Sequence, residues 1–214
     1  MLSLIKAVDE HKIIVIMRKL PLEKIIPVTQ ALYDGGIRLI EVTFDQKDAN
    51  HLTNTGDAIQ LIADKFGDSM HVGAGTVLTI AQVEEARKRG ASYIVSPNTN
   101  KEVIQRTIEL GMGSFPGAFT PSEIVQAYEY GAHYVKLFPG GELGAEYLKA
   151  VCAPLSHIPI VVVGGVNAEN MQGFIKAGAS GFGIGSNIVN RKLIDAQAYL
   201  ELTELALTYT KQFS

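Results

Sequence analysis

A short apolar run, then an amphipathic stretch, then glycine, and the sequence begins again: this repetition runs the length of the chain and constrains its fold more than any other feature. The apolar runs lie at 12–18, 39–44, 71–77, 93–97, 114–118, 134–139, 158–163 and 181–185. Each has strand length, and most are rich in the valine, isoleucine and aromatic residues that suit a pleated surface. Helical patterns fill the gaps at 22–34, 55–66, 80–89, 101–109, 121–130, 145–153, 168–177 and 195–212. Most of these end alike, in Asp34-Gly35-Gly36, Arg89-Gly90-Ala91, Glu109-Leu110-Gly111, Tyr130-Gly131-Ala132 and Ala177-Gly178-Ala179. A glycine just past the last periodic residue closes a helix. Thr120-Pro121-Ser122-Glu123 reads as a helix start, with a capping threonine, proline in the first turn and an acid three residues on. Asn167 is read as a cap in the same manner.

Strands that are apolar throughout are buried on both faces, as in a parallel sheet covered by helices. Eight strand-plus-helix units, one about every 22 residues, are the pattern of an α/β chain folded as a (β/α)8 TIM barrel. Residues 1–11 read as an extra N-terminal helix closing the bottom of the barrel. With no linker or low-complexity stretch, 1–214 is expected to be a single barrel domain. A doubly wound open sheet would require a glycine-rich phosphate loop after the first strand, and residues 17–24 are not glycine-rich.

Composition narrows the function classes. A net charge of −3 without a basic block argues against nucleic acid or an anionic membrane as partner. A lone cysteine, Cys152, allows no intramolecular disulfide, fits a reducing compartment and reads as a buried small apolar residue. No secretory leader is visible and no apolar run approaches the roughly 18 residues of a membrane span, so a cytoplasmic location is expected. The five histidines show no pair at ligand spacing and the carboxylates no cluster, so neither a metal nor a cofactor is expected.

In such barrels the chemistry sits where strands end and loops begin. Arg18 ends the first run. Glu41 and Thr43 share one face of the second, because side chains alternate along a strand. Thr76 ends the third and Pro97 the fourth. Lys136 and Phe138 share a face of the sixth, Gly164 and Gly165 follow the seventh, and Gly185 and Ser186 the eighth. Lys136 is the most telling of these, a lone ammonium within Tyr134–Pro139, where burial costs free energy. A desolvated lysine near another cation has a lowered pKa, and its neutral amine attacks ketones to form a Schiff base. A carboxylate such as Glu41 moves protons through the steps of that chemistry, and Arg18 offers a two-pronged donor to a substrate carboxylate. The small residues after the last two strands, leading into helix starts, suit a phosphate group.

The motifs IIVIMR (13–18), IEVTF (40–44), GAGTVL (73–78), VSPN (95–98), PGAFTPSE (116–123), VKLFP (135–139), VVGGV (162–166) and GIGSN (183–187) occur in this order over nearly the whole chain. In this the chain resembles the bacterial 2-keto-3-deoxy-6-phosphogluconate (KDPG) and 4-hydroxy-2-oxoglutarate (KHG) aldolases, with their phosphogalactonate-type relatives. The resemblance implies a class I aldolase, needing no cofactor, that cleaves a phosphorylated 2-keto-3-deoxy sugar acid to pyruvate and glyceraldehyde 3-phosphate, and 4-hydroxy-2-oxoglutarate as a second substrate. It implies a homotrimer. It implies Lys136 as the Schiff-base lysine and Glu41 as general acid/base, with Arg18 and Thr76 on the pyruvyl carboxylate and Pro97 and Phe138 shaping the pocket. Gly164, Gly165, Gly185 and Ser186 would hold the phosphate.

Two positions depart from the gluconate type. Asp45 stands where those enzymes carry an arginine four residues after the glutamate. Val163 stands where they often carry threonine, and valine matches the galactonate type, because it cannot hydrogen-bond a C4 hydroxyl. The polar segment 45–56 is expected to be a mobile, substrate-facing loop. Two other readings use the same barrel: a phosphosugar isomerase or synthase with Glu41 as base, and a non-catalytic sugar-phosphate sensor. Neither has a use for an amine inside an apolar strand.

Overall fold

Strands β1 (Ile13–Met17), β2 (Leu39–Thr43), β3 (His71–Gly75), β4 (Tyr93–Val95), β5 (Gly113–Phe115), β6 (Gly117–Ala118), β7 (Val135–Leu137), β8 (Ile160–Val163) and β9 (Gly181–Ile184) form one parallel sheet. Their spatial order is β5-β4-β3-β2-β1-β9-β8-β7-β6. This computed structural model describes residues 1–213; Ser214, the last residue of the expected domain, lies outside the described residues. β5 and β6 are the two halves of the single strand expected at 114–118, broken at Pro116, which has no N–H to give a ladder. β5 pairs with β4 and β6 with β7, and the Lys136 N–H donates to the Pro116 carbonyl at 2.9 Å across the break. The sheet therefore curls into a nearly closed barrel of the expected (β/α)8 kind, with β7 in the sixth position.

Helices Leu22–Asp34 and Lys101–Glu109 have the expected bounds, and Ile80–Lys88 and Pro121–Glu129 are one residue shorter. The glycine punctuation is explained by backbone geometry: Gly36, Gly90, Gly111, Gly131 and Gly178 all have φ between 72° and 104°, a region that other residues enter with strain. Thr120 and Glu123 form the expected reciprocal capping box.

Five expectations are corrected. Six of the eight strands end one or two residues early, so Arg18, Thr76, Pro97, Phe138 and Gly185 lie beyond the strand ends. Helix His51–Phe66 begins inside the segment expected to be a loop, and the remainder is tied down by Asp48. Its carboxylate accepts from the Asn50 N–H at 2.9 Å and the Asn54 amide at 2.7 Å. Helix Met171–Lys176 starts later than expected because the Asn167 carboxamide oxygen accepts from the Glu169 and Asn170 N–H groups and makes a local turn. The last helix runs Tyr199–Thr210 and so starts later than expected, after Gln197 with φ 56°, and an unexpected short helix, Arg191–Asp195, precedes it. Gly140–Cys152 also begins earlier than expected, with a kink at Gly144.

Two apolar clusters follow the alternation of the strands. Ile13, Val15, Met17, Ile40, Val42, Val135, Leu137 and Val162 pack outward under the helices. Ile14, Ile16, Leu39, Tyr93, Val95, Phe115, Tyr134, Val161 and Val163 fill the barrel together with Leu4 and Val8 of the first helix, Leu2–His11. That helix plugs the bottom as expected, and the Tyr134 hydroxyl donates to Asp9 at 2.8 Å. Since side chains alternate, Glu41, two residues after Leu39, and Lys136, two after Tyr134, point into the barrel one layer nearer its open end.

Candidate active site

Tyr93, Phe115 and Tyr134 make the floor of the site. Phe115 stacks on Tyr134 with centroids 5.0 Å apart and meets Tyr93 at 5.4 Å. The Tyr93 hydroxyl donates to the Ile40 carbonyl at 2.6 Å, which satisfies the buried polar end of the ring. Above this rigid layer sit Glu41 and Lys136, only 2% and 6% exposed. Glu41 lies in register between Ile16 and Gly73, and Lys136 between Gly117 and Val161. The strand glycines are spaces rather than turns. A Cβ on Gly75 would collide with the Glu41 carboxylate, and one on Gly73 with the Tyr93 ring.

The electrostatics of the pair are set by burial. Desolvation lowers the Lys136 pKa below the ordinary lysine value; the Glu41 charge opposes the shift and the Arg18 charge adds to it. Desolvation raises the Glu41 pKa, against the pull of Lys136 and Arg18. No N–O contact inside 4.0 Å joins Lys136 to Glu41 among the described residues, so the two act on each other through space without a closed ion pair. The amine stands 4.9 Å from the centre of the Phe138 ring. An amine whose pKa is lowered by burial, beside a carboxyl whose pKa is raised by it, is suited to attack on a carbonyl with proton transfer close by.

A cleft of about 320 Å³ opens at the same end of the barrel, over β1, β8 and β9. Its walls include Arg18, Phe138, Val163, Gly164, Gly165, Gly185 and Ser186. Gly164 and Gly165 have φ of 87° and 73°, and the Gly164 carbonyl accepts from the Gly141 N–H at 2.6 Å, so this turn is backbone in close approach. Thr76 and Pro97 stand at the ends of β3 and β4, outside the walls of this cleft, as do Lys136 and Glu41. Thr76 has φ 57°, a strained conformation for a β-branched residue, and its carbonyl accepts from the Gln46 amide at 2.7 Å. Arg18, Phe138, Val163 and the four small residues thus gather around one cleft, with the Lys136 and Glu41 pair on the barrel wall beside it. No group of residues suited to a metal ion occurs among the described residues.

Three residues that sequence reasoning passed over also belong to this rim. Arg191 lines the cleft and donates from Nη2 to the Arg18 carbonyl at 2.9 Å and to the Lys19 carbonyl. Asn187 lines it too, and its amide donates to the Val166 carbonyl at 2.8 Å, tying the last two strand-end loops together. Lys19 forms an ion pair with Asp45 at 2.8 Å. The signal for Arg191 was Asn190, whose side chain caps the short helix just after GIGSN and so starts a new element there.

Comparison with known proteins agrees with this geometry. The family model "KDPG and KHG aldolase" matches residues 4–205. The 2-dehydro-3-deoxy-6-phosphogalactonate aldolase of Escherichia coli is 36% identical over 177 residues, covering 82% of this chain and 83% of that protein. A solved structure described as native KDPGal superposes with a TM-score of 0.83 at 33% identity, covering 93% of this chain and 92% of the other. The KDPG aldolase of Legionella pneumophila, solved with pyruvate captured as a covalent carbinolamine, gives a TM-score of 0.83 at 26% identity, over 95% and 96% of the two chains.

Proposed function

The chain belongs to the KDPG and KHG aldolase family and is a carbon–carbon lyase of the class I aldolase type, and we propose that Lys136 and Glu41 carry its chemistry on a phosphorylated 2-keto-3-deoxy sugar acid. The observation that carries the reading is the Lys136 amine, buried inside the barrel with its pKa lowered by desolvation, next to a carboxyl whose pKa is raised by the same burial.

In this reading the neutral Lys136 amine adds to the C2 ketone, and the carbinolamine loses water to a protonated imine. Glu41 supplies the proton for the departing water and, as the carboxylate, receives the proton of the C4 hydroxyl. The C3–C4 bond breaks, its electron pair enters the imine to form an enamine, and glyceraldehyde 3-phosphate departs. Glu41 returns the proton to C3, and hydrolysis releases pyruvate and the free amine. Arg18 and the Thr76 turn take the pyruvyl carboxylate, and Pro97 and Phe138 flank the reacting carbons. Gly164, Gly165, Gly185 and Ser186 receive the phosphate. Val163, without a hydroxyl, favours the galactonate epimer over the gluconate one, and 4-hydroxy-2-oxoglutarate is a second substrate. The family resemblance supports one barrel domain acting as a cytoplasmic homotrimer; among the described residues no helix is long and apolar enough to cross a membrane.

Borohydride trapping with pyruvate, followed by peptide mass spectrometry, tests the assignment. A pyruvyl adduct on Lys136 is expected; bound pyruvate without an adduct refutes it. Rates on the two phosphorylated epimers and on 4-hydroxy-2-oxoglutarate test the substrate assignment, and a gluconate preference refutes the role of Val163.

A further inference from the structure

Arg191 stands between the two ends of the site. Its side chain lines the cleft beside Ser186 and Gly185, yet its Nη2 is spent on the backbone carbonyls of Arg18 and Lys19. Its Nη1 and Nε have no partner among the described residues. A guanidinium is rigid and planar, so what Nη2 grips fixes where Nη1 and Nε point. The loop that it grips needs holding. Lys19 has φ 52°, unfavourable for a residue with a side chain, and this loop carries the Arg18 guanidinium. On its far side the loop is fastened by the 2.8 Å ion pair between Lys19 and Asp45. The Arg191 side is the one that a ligand in the cleft can reach.

We propose that Arg191 is a positioning residue that couples the anion end of the cleft to Arg18: an anion on its free Nη1 or Nε donor fixes Nη2 on the Arg18 and Lys19 carbonyls and thereby sets the Arg18 guanidinium for the substrate carboxylate. The proposal rests on the aldolase reading above. It makes a phosphate group more than an anchor. An acid lacking phosphate meets a less ordered Arg18, and by linkage the keto acid and the phosphate strengthen each other's binding.

The test uses inorganic phosphate as the probe and trapping of pyruvate on Lys136 as the readout, at graded pyruvate concentrations. In the wild type, phosphate is expected to lower the pyruvate concentration for half-maximal trapping by about five-fold or more, the lower end of ordinary coupling between sites. In Arg191→Met that effect disappears while the maximal yield of adduct is kept. Arg191→Lys, which retains the charge without the fork, recovers only part of it. A merely structural arginine would shift half-saturation equally with and without phosphate, and that result overturns the proposal. So does a phosphate effect that persists in Arg191→Met, or phosphate that leaves wild-type trapping unchanged or weakens it. The wild-type measurement decides the matter even where a variant folds poorly. Absence of any adduct in the wild type refutes the aldolase reading itself, whereas an adduct indifferent to phosphate refutes only the coupling.

Discussion

Replacing Lys136 by methionine is expected to make the protein more stable and catalytically dead. The side chain is 6% exposed, makes no hydrogen bond and no ion pair inside 4.0 Å among the described residues, and has its pKa lowered by burial. Methionine has nearly the same length and flexibility and carries no charge. Relieving the burial of a charged group that has no ion-pair partner within 4.0 Å is worth on the order of 1–3 kcal/mol. For a chain of this size that is a rise in Tm of about 2–12 °C. The pH dependence gives the sharper check. Between the lowered pKa of Lys136 and its ordinary 10.5, the unfolded chain keeps a proton that the folded chain has released, so wild-type stability rises with pH through this window. The variant has no such slope. Removing the cation also takes from ionised Glu41 the neighbour that opposes the rise in its pKa, a loss felt only once Glu41 has ionised. Both effects make the gain from Lys136→Met largest at low pH and smaller as pH rises. Urea unfolding at about pH 6 and about pH 10 measures it. A variant less stable than the wild type at both values, or a gain that grows with pH, refutes the argument that burial of this amine is the source of its chemistry. Turnover should fall by orders of magnitude at either pH.

Gly75→Ala places a methyl group against the Glu41 carboxylate; it should cost about 1–3 kcal/mol in urea unfolding, and it should depress turnover beyond what the folded fraction explains, because Glu41 is displaced. Thr76→Gly removes strain of about 1–2 kcal/mol at φ 57° but frees the unfolded chain by a comparable amount, so stability should change by less than about 1 kcal/mol while half-saturation by pyruvate rises. Thr120→Ala, at a residue outside the walls of the cleft, breaks the capping box of helix Pro121–Glu129 and should cost about 1 kcal/mol by thermal unfolding with unchanged kcat.

The barrel was legible because its signals are local and repeated. Apart from Glu41, Lys136 and the break at Pro116 the strands are largely apolar runs, and each of five helices is stopped by a glycine that the structure holds at positive φ. The inward direction of Lys136 and Glu41 was legible for the same reason, since alternation from Tyr134 and Leu39 decides it once those residues are known to fill the barrel. What was misread depended on side chains competing with the backbone. Asp48 draws the start of helix His51–Phe66 forward, and Asn167 delays helix Met171–Lys176 by taking two N–H groups into a turn. Gln197, at φ 56°, delays the start of the last helix without a glycine or proline to announce it. The roles of the strand glycines were open in the same way: Gly73 and Gly75 have no special backbone geometry, and only the tertiary approach of Tyr93 and Glu41 explains them.

Asp45 shows how far register alone could have gone. On the sequence it is a carboxylate where gluconate-type enzymes carry a cation, which suggests a rim of the wrong charge. In the fold β1 pairs with β2 so that Met17 stands beside Val42. Two residues past Met17 and three past Val42, the strand ends bring Lys19 against Asp45 at 2.8 Å, and this contact lowers the Asp45 pKa. The rim therefore keeps a cation, supplied from the loop of Arg18 rather than from the loop of Glu41, and the carboxylate is occupied by it. A single position compared with its relatives gave the sign of the charge; the pairing of two strands gives its partner. The consequence reaches the chemistry, because the residue that neutralises Asp45 lies next to Arg18 and its carbonyl is gripped by Arg191. Three linked loops thus meet at this rim, and exchanging position 45 alone for arginine is expected to release Lys19 and add a second cation beside Arg18.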